Sequence, residues 1–148
     1  MGDAWPVTYR RKIRYSDSDA QGIVFNANYL VYFDDTITDF FDVIGLPWSD
    51  LTARGFDMVL ARVELDFRSS PSIGDTVATR ARVESVGDTS LAFHLVTHNE
   101  TTDQLVVEGK EVQVVVDAHD FRPARIPGFL ITAIESVQGP LTQRETRP

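Results

Sequence analysis

Apolar and polar residues change their period along this chain, and the changes mark its elements. From Val7 to Tyr15, the apolar Val7, Tyr9, Ile13 and Tyr15 alternate with Thr8, Arg10, Lys12 and Arg14, the period of a half-buried strand. Tyr29, Phe33, Ile37, Phe40, Phe41 and Ile44 then recur at steps of three and four. That spacing predicts one helix from about Asn28 to Ile44, ended by Gly45-Leu46-Pro47. Its apolar face is wide and aromatic, as in a helix packed deeply against a sheet. From residue 57 the period returns to two. Val59, Ala61, Val63, Leu65 and Phe67 alternate with Arg62, Glu64 and Asp66, and Val77, Thr79, Ala81 and Val83 with Arg80, Arg82 and Glu84.

Two further strands are predicted at about 89–100 and 104–117. Ser72-Ile73-Gly74-Asp75, Gly87-Asp88 and Glu100-Thr101-Thr102-Asp103 read as hairpin turns between the strands. The run Val112-Gln113-Val114-Val115-Val116 is apolar enough for the interior of a sheet, and Pro127 opens a last short helix over Phe129, Leu130, Ile131 and Ile134. Beyond Gln138 the chain is polar and reads as a disordered tail. Strand, long helix and four strands joined by hairpins make an α+β domain with one mostly antiparallel sheet and one buried helix. No repeat or linker divides it. The 148 residues read as a single domain, 1–148, with its core at about 7–135.

Composition narrows the chemistry. There is no cysteine, which excludes disulfides, thiol nucleophiles and thiolate-ligated metals. Three scattered histidines, His94, His98 and His119, leave little for a metal centre. A net charge of −8 argues against work on nucleic acid, which needs clustered Lys and Arg to neutralise phosphates. The start lacks the apolar core of a signal peptide and no run reaches a membrane span, so the expectation is a soluble, cytoplasmic protein without membrane contact. The polar helix face, Asp34, Asp35, Asp39 and Asp42, reads as solvated.

Candidate chemistry concentrates in Ser16-Asp17-Ser18-Asp19-Ala20-Gln21-Gly22-Ile23-Val24-Phe25-Asn26-Ala27-Asn28-Tyr29. Asp17, Asp19, Gln21 and Gly22 imitate the start of a calcium-binding EF-hand loop, but the twelfth position is Asn28, which cannot supply the bidentate carboxylate. A strand precedes it where an EF-hand has a helix. A carboxylate held beside a helix start is a second reading, because unpaired N–H groups there polarise a carbonyl that the carboxylate, or a water it deprotonates, attacks. A third is that Asp17 and Asp19 are turn residues and Asn26 or Asn28 the helix N-cap.

The stretch, followed by Tyr32-Phe33-Asp34, resembles the signature of the 4-hydroxybenzoyl-CoA thioesterase family of hotdog-fold acyl-CoA thioesterases. Phe67-Arg68-Ser69-Ser70-Pro71-Ser72-Ile73-Gly74-Asp75, Val86-Gly87-Asp88-Thr89-Ser90 and Arg125-Ile126-Pro127 extend the likeness over about residues 7–135. The resemblance implies a hotdog fold, a sheet wrapped around one long helix. It implies hydrolysis of an acyl- or aroyl-CoA to a carboxylic acid and free coenzyme A, with Asp19 as nucleophile or general base. The backbone N–H of Asn26 polarises the carbonyl in that scheme and Gly22 shapes the turn, while Asp17 supports the turn and Asp34 is an orienting or structural carboxylate. No metal or cofactor is implied, coenzyme A being part of the substrate.

Substrate contacts are expected from Asn28, Tyr29, Arg62, Arg68 and Ser90. The arginines, like Arg80, Arg82, Arg122 and Arg125, are candidates by charge alone and read equally as solvated. Trp48 and Phe56 read as acyl-pocket wall or as core. The implied assembly is a homodimer with joined sheets, paired into a homotetramer. Two rivals remain: a non-catalytic thioester-binding protein, against which Asp19 speaks, and a hotdog dehydratase or hydratase. The latter resembles an Asp with a His five residues on, where this chain has Val24.

Overall fold

The computed structural model describes residues 5–143. Its elements are β1 (Val7–Lys12), a 3-10 turn (Tyr15–Asp17), α1 (Asn28–Val43), α2 (Trp48–Ala53), β2 (Phe56–Phe67), β3 (Thr76–Val86), β4 (Ser90–Asn99), β5 (Gln104–Asp117) and α3 (Gly128–Gln138). One antiparallel five-stranded sheet has the order β1-β3-β4-β5-β2 and wraps α1, the arrangement the resemblance implies. Among the described residues no helix is long and apolar enough to cross a membrane.

The aromatic stripe of α1 is its buried face: Tyr29, Tyr32, Phe33, Ile37, Phe40 and Phe41 are all at most 3% exposed. Phe40 meets Phe93 of β4 edge-on, ring centroids 5.6 Å apart. The helix ends where Gly45 takes a positive φ of 74° and the N–H groups of Gly45 and Leu46 reach back to Asp42 and Phe41, a Schellman closure. Phe33 comes so close to β5 that a Cβ at Gly109 would lie 2.5 Å from its ring and 2.9 Å from the Glu64 carbonyl oxygen. Gly109→Ala should therefore destabilise the fold by about 2 kcal/mol through overpacking. Urea denaturation checks this, and an unchanged midpoint would refute it.

Three sequence expectations need correction, and one helix was not foreseen. Strand β1 stops at Lys12 and Tyr15 is 85% exposed, because residues Tyr15–Asp17 form a 3-10 turn in which the Asp17 carboxylate accepts from the Arg14 backbone N–H. The segment Ser72–Asp75 is not a hairpin turn. β2 pairs with β5 at one edge while β3 lies near the other, so residues 68–75 cross between them; a local turn signal carries no information on which strand comes next in the sheet. Trp48–Ala53 forms a helix too short to show a period, with only Leu51 buried. Beyond Gln138 the chain stays ordered to the limit of description: Val86 donates to the Thr142 carbonyl at 2.9 Å and bridges Gln143 in parallel. The remainder of the expected tail, 144–148, lies outside the described residues.

Candidate active site

The two carboxylates that look alike in sequence sit in opposite environments. Asp17 is 4% exposed. Its Oδ1 accepts hydrogen bonds from Arg11 Nε at 3.0 Å and the Tyr32 hydroxyl at 2.8 Å, and its Oδ2 accepts one from the Arg14 backbone N–H at 2.8 Å. Burial alone would raise the Asp17 carboxyl, but these donors outweigh it and hold it below the ordinary carboxylate value. Tyr32 is raised in turn, by burial and by its bond to Asp17. Asp17 also anchors the loop through its backbone, since its carbonyl accepts from the Phe25 N–H at 2.9 Å and from Asn28 Nδ2 at 2.8 Å.

Asp19 stands half-buried at the tip of a small hairpin. Ser18 bridges Val24, Asp19 donates to the Ile23 carbonyl, and Gly22, at φ 76°, returns its N–H to the Asp19 carbonyl at 3.0 Å. A side chain at that φ would be strained, which is why the turn takes glycine. The Asp19 Oδ1 accepts from the Gln21 N–H at 2.8 Å, an Asx turn that fixes the carboxylate, while among the described residues its Oδ2 has no partner. Asn26 is exposed and its backbone N–H likewise makes no bond among the described residues.

Helix α1 begins without a side-chain cap: Ala27 is the N-cap, and Asn28, in the first turn, spends its amide on Asp17. The expectation that Asn28 or Asn26 caps the helix is overturned by this longer bond, which ties helix to loop. Tyr29 is 3% exposed, packed on Tyr32 and Phe67, and burial pushes its hydroxyl up to about 12. The loop is backed by the crossing segment, as Ile23 bridges Ser72 and Val24 donates to the Pro71 carbonyl. The two family-like phrases, far apart in sequence, are thus neighbours in space.

Other candidates lie elsewhere in the protomer. Arg62 is exposed on β2 and paired with Glu64, and the Arg68 side chain is exposed at the end of β2. Ser90 begins β4, whose other end, Asn99, bonds Asp75 beside the crossing segment. A strand of ten residues spans about 30 Å, so Ser90 and the Asp19 loop are at opposite ends of the sheet. Among the described residues no group of three or more His, Cys, Asp or Glu is placed to hold a metal.

Sequence reasoning missed a second polar feature. A cavity of about 430 Å³ opens between α1 and β2, with Asp34, Thr38 and Gln113 as its polar lining and Ile37, Trp48, Met58 and Leu60 as its apolar lining. Glu111, two residues before Gln113 on the same face of β5, is 2% exposed, and burial pushes its carboxyl up to about 7, opposed by its bond from Gln113 and aided to a lesser degree by the charge of Asp34. The signal was present: Glu111 and Gln113 occupy alternate positions of the inward β5 face, where Val107 and Val115 predict apolar residues.

Comparison with known proteins identifies the family and the fold. Residues 13–134 match the model of the Thioesterase-like superfamily. The acyl-CoA thioester hydrolase YbgC of Escherichia coli is 23% identical over 128 residues, 86% of this chain and 91% of that protein. Two solved structures share the fold. One is Slr0204 from Synechocystis, a 1,4-dihydroxy-2-naphthoyl-CoA thioesterase, with a TM-score of 0.79, 18% identity and coverage of 90% of this chain and 98% of that one. The other is SAV2348 from Staphylococcus aureus in complex with CoA, with a TM-score of 0.81, 17% identity and coverage of 97% and 90%. With its family model spanning most of the chain, from the end of β1 into α3, the protein belongs to the Thioesterase-like superfamily.

Proposed function

We propose that this protein hydrolyses acyl-CoA thioesters to a carboxylic acid and free coenzyme A, in the manner of the 4-hydroxybenzoyl-CoA branch, with Asp19 as the acting carboxylate. The observation that carries the reading is the contrast between the two acids. Asp17 is saturated with donors, whereas Asp19 is oriented by one bond and keeps an oxygen free, beside a helix start whose Asn26 N–H is also free among the described residues. Asp19 either attacks the carbonyl carbon, releasing thiolate and leaving an acyl-aspartyl anhydride for water to open, or takes a proton from the attacking water. The Asn26 N–H stabilises the charge that develops on the carbonyl oxygen, and thiolate departs without an acid because it is a stable anion. Coenzyme A enters only as substrate, and no metal or other cofactor takes part.

Free-thiol release from short, long and aromatic acyl-CoAs tests this reading. Turnover on at least one class is expected, and its absence on all would discard it. Relatives named acyl-CoA thioester hydrolase and CoA-thioesterase support this choice of panel.

The assembly proposed with it is a homodimer through β2, and a homotetramer of two such dimers. Among the described residues β2 is a 12-residue edge strand bonded only to β5, with Val59, Leu60 and Phe67 exposed, an edge that invites a further strand. Light scattering should give two or four times the 16.6 kDa chain mass, and a monomer at micromolar concentration would reject the pairing.

A further inference from the structure

Another cavity opens at the far edge of the sheet, where β3 loses its neighbour. β1 pairs with β3 only as far as Val7 opposite Arg80, and Pro6, which has no N–H to offer, ends the ladder. The next cover is the Gln138 carboxamide on Val83. Between them, among the described residues, Ala81 and Arg82 have no strand beside them on this edge, and a cavity of about 430 Å³ reaches through the gap to Phe40 of α1. That is the size of a small-molecule site. Its apolar walls include Trp5, Phe40 and Val137, and its polar ones are Arg82, Glu84, Gln138 and Thr142.

Arg82 carries a charge that no acid in the described fold answers. Around it on the outer face of the sheet the charged groups are paired, His94 with Glu108, Lys110 with Glu84 and Arg10 with Glu100. Arg82 makes no hydrogen bond or ion pair to any described residue, although the sequence holds 22 acids against 14 bases. Its Nε is shut from solvent without a partner, so its two terminal nitrogens are the donors left for the cavity it lines. The guanidinium carbon lies 4.5 Å from the centre of the Trp5 ring. That stack engages the face of the group, fixes its orientation and leaves the in-plane N–H donors unused. A fixed fork of donors beside apolar walls suits a carboxylate attached to an apolar body.

We propose that this cavity binds a monocarboxylic acid with an aromatic or medium-length alkyl body, its carboxylate paired with the Arg82 fork and its body lying between Trp5, Phe40 and Val137. One guanidinium matches one negative charge. A phosphate monoester brings a second charge beside Glu84, an amine meets Arg82 as a like charge, and an alcohol forgoes the ion pair. The site is separate from the thioester chemistry. Arg82 lies six residues along β3 from Thr76, about 20 Å, and Thr76 follows the crossing segment that backs the Asp19 hairpin. The proposal therefore stands apart from the hydrolase reading, and its test needs no turnover.

The probes are octanoate, octanol, octylamine and octyl phosphate, titrated into the full-length protein carrying Trp48→Phe. Trp5 is then its one tryptophan, and the new ring still packs on Phe41. Octanoate should change Trp5 emission saturably and bind at least about tenfold more tightly than octanol, the worth of one charge-assisted pair. Octyl phosphate should bind more weakly than octanoate, and octylamine most weakly of all. Arg82→Gln, which stays polar and loses the charge, should bring octanoate down to the level of octanol. Val137→Phe, at an exposed position of α3, fills the space without touching the charge and should weaken octanoate by at least about fivefold. Circular dichroism confirms that both variants fold, and if Arg82→Gln does not, Val137→Phe decides. No change in Trp5 emission up to millimolar octanoate, any other probe binding as tightly as octanoate, or octanoate affinity that survives either folded variant would overturn the proposal. An acid held at the Asp19 loop instead survives both variants, so failure here leaves the hydrolase reading in place. Absence of thioester cleavage, in turn, leaves the Arg82 cavity standing.

Discussion

Asp19→Asn should lower kcat for thioester hydrolysis by about 10³-fold, with KM changed by less than about threefold and thermal stability unchanged. The substitution removes the charge and little else. Asparagine keeps the volume and keeps an Oδ1 to accept from the Gln21 N–H, so the Asx turn and the hairpin over Ser18–Val24 persist. What disappears is the anionic oxygen that attacks carbon or takes a proton from water, whereas substrate contacts made away from the carboxylate stay in place. Undiminished turnover by this variant would remove Asp19 from the mechanism. Single-turnover hydrolysis in ¹⁸O-water tests the covalent role of the wild-type residue: label in Asp19 means that an anhydride formed and was opened at the aspartyl carbonyl.

Asp17→Ala should instead act on stability, costing about 3 kcal/mol and lowering Tm by about 10 °C. The deletion strands the partly buried Arg11 guanidinium, the Tyr32 hydroxyl and the Arg14 N–H together. The same residue gives the wild type a pH dependence. Its folded-state pKa is depressed, so the stability it contributes is present in full above its ordinary pKa of 3.8 and is lost as pH falls through the lower folded value. Urea midpoints of wild type and Asp17→Ala should therefore converge on acidification below about pH 4, and a gap that stays constant down to about pH 2 would show that the ion pair is not its source. Loss of activity in this variant is expected to follow the loss of the loop, since Asp17 is bonded to β1, to α1 and to the turn between them.

These two residues also show what the sequence could and could not convey. The Asp19 hairpin and the buried stripe of α1 were legible because their signals are local: a glycine that must turn, and an apolar side chain every third or fourth position. The partners of Asp17 were not, because Arg11 stands in a strand and Tyr32 in a helix, and only the fold brings them to one carboxylate. Asn28 was misread for the same reason, its bond to the Asp17 carbonyl spanning eleven residues. The crossing of residues 68–75 escaped because turn chemistry is the same whether the next strand lies adjacent or across the sheet. Glu111 and Gln113 were overlooked inside a run of valines, although period two alone places both against the helix.

The edge of β3 carries a consequence for the order of synthesis. On one side β3 pairs with β4 along its length. On the other, β1 covers Thr76–Arg80, the Gln138 carboxamide accepts from the Val83 N–H and donates to the Val83 carbonyl, and Thr142 and Gln143 meet Val86. One strand is thus finished by pieces from both ends of the described chain. During translation the β3 edge from about Ala81 onward stays bare after the rest of the sheet has emerged, and it closes only when the last described residues leave the ribosome. Until Gln138 and Thr142 are in place, this stretch of β3 stays open to wrong strand partners.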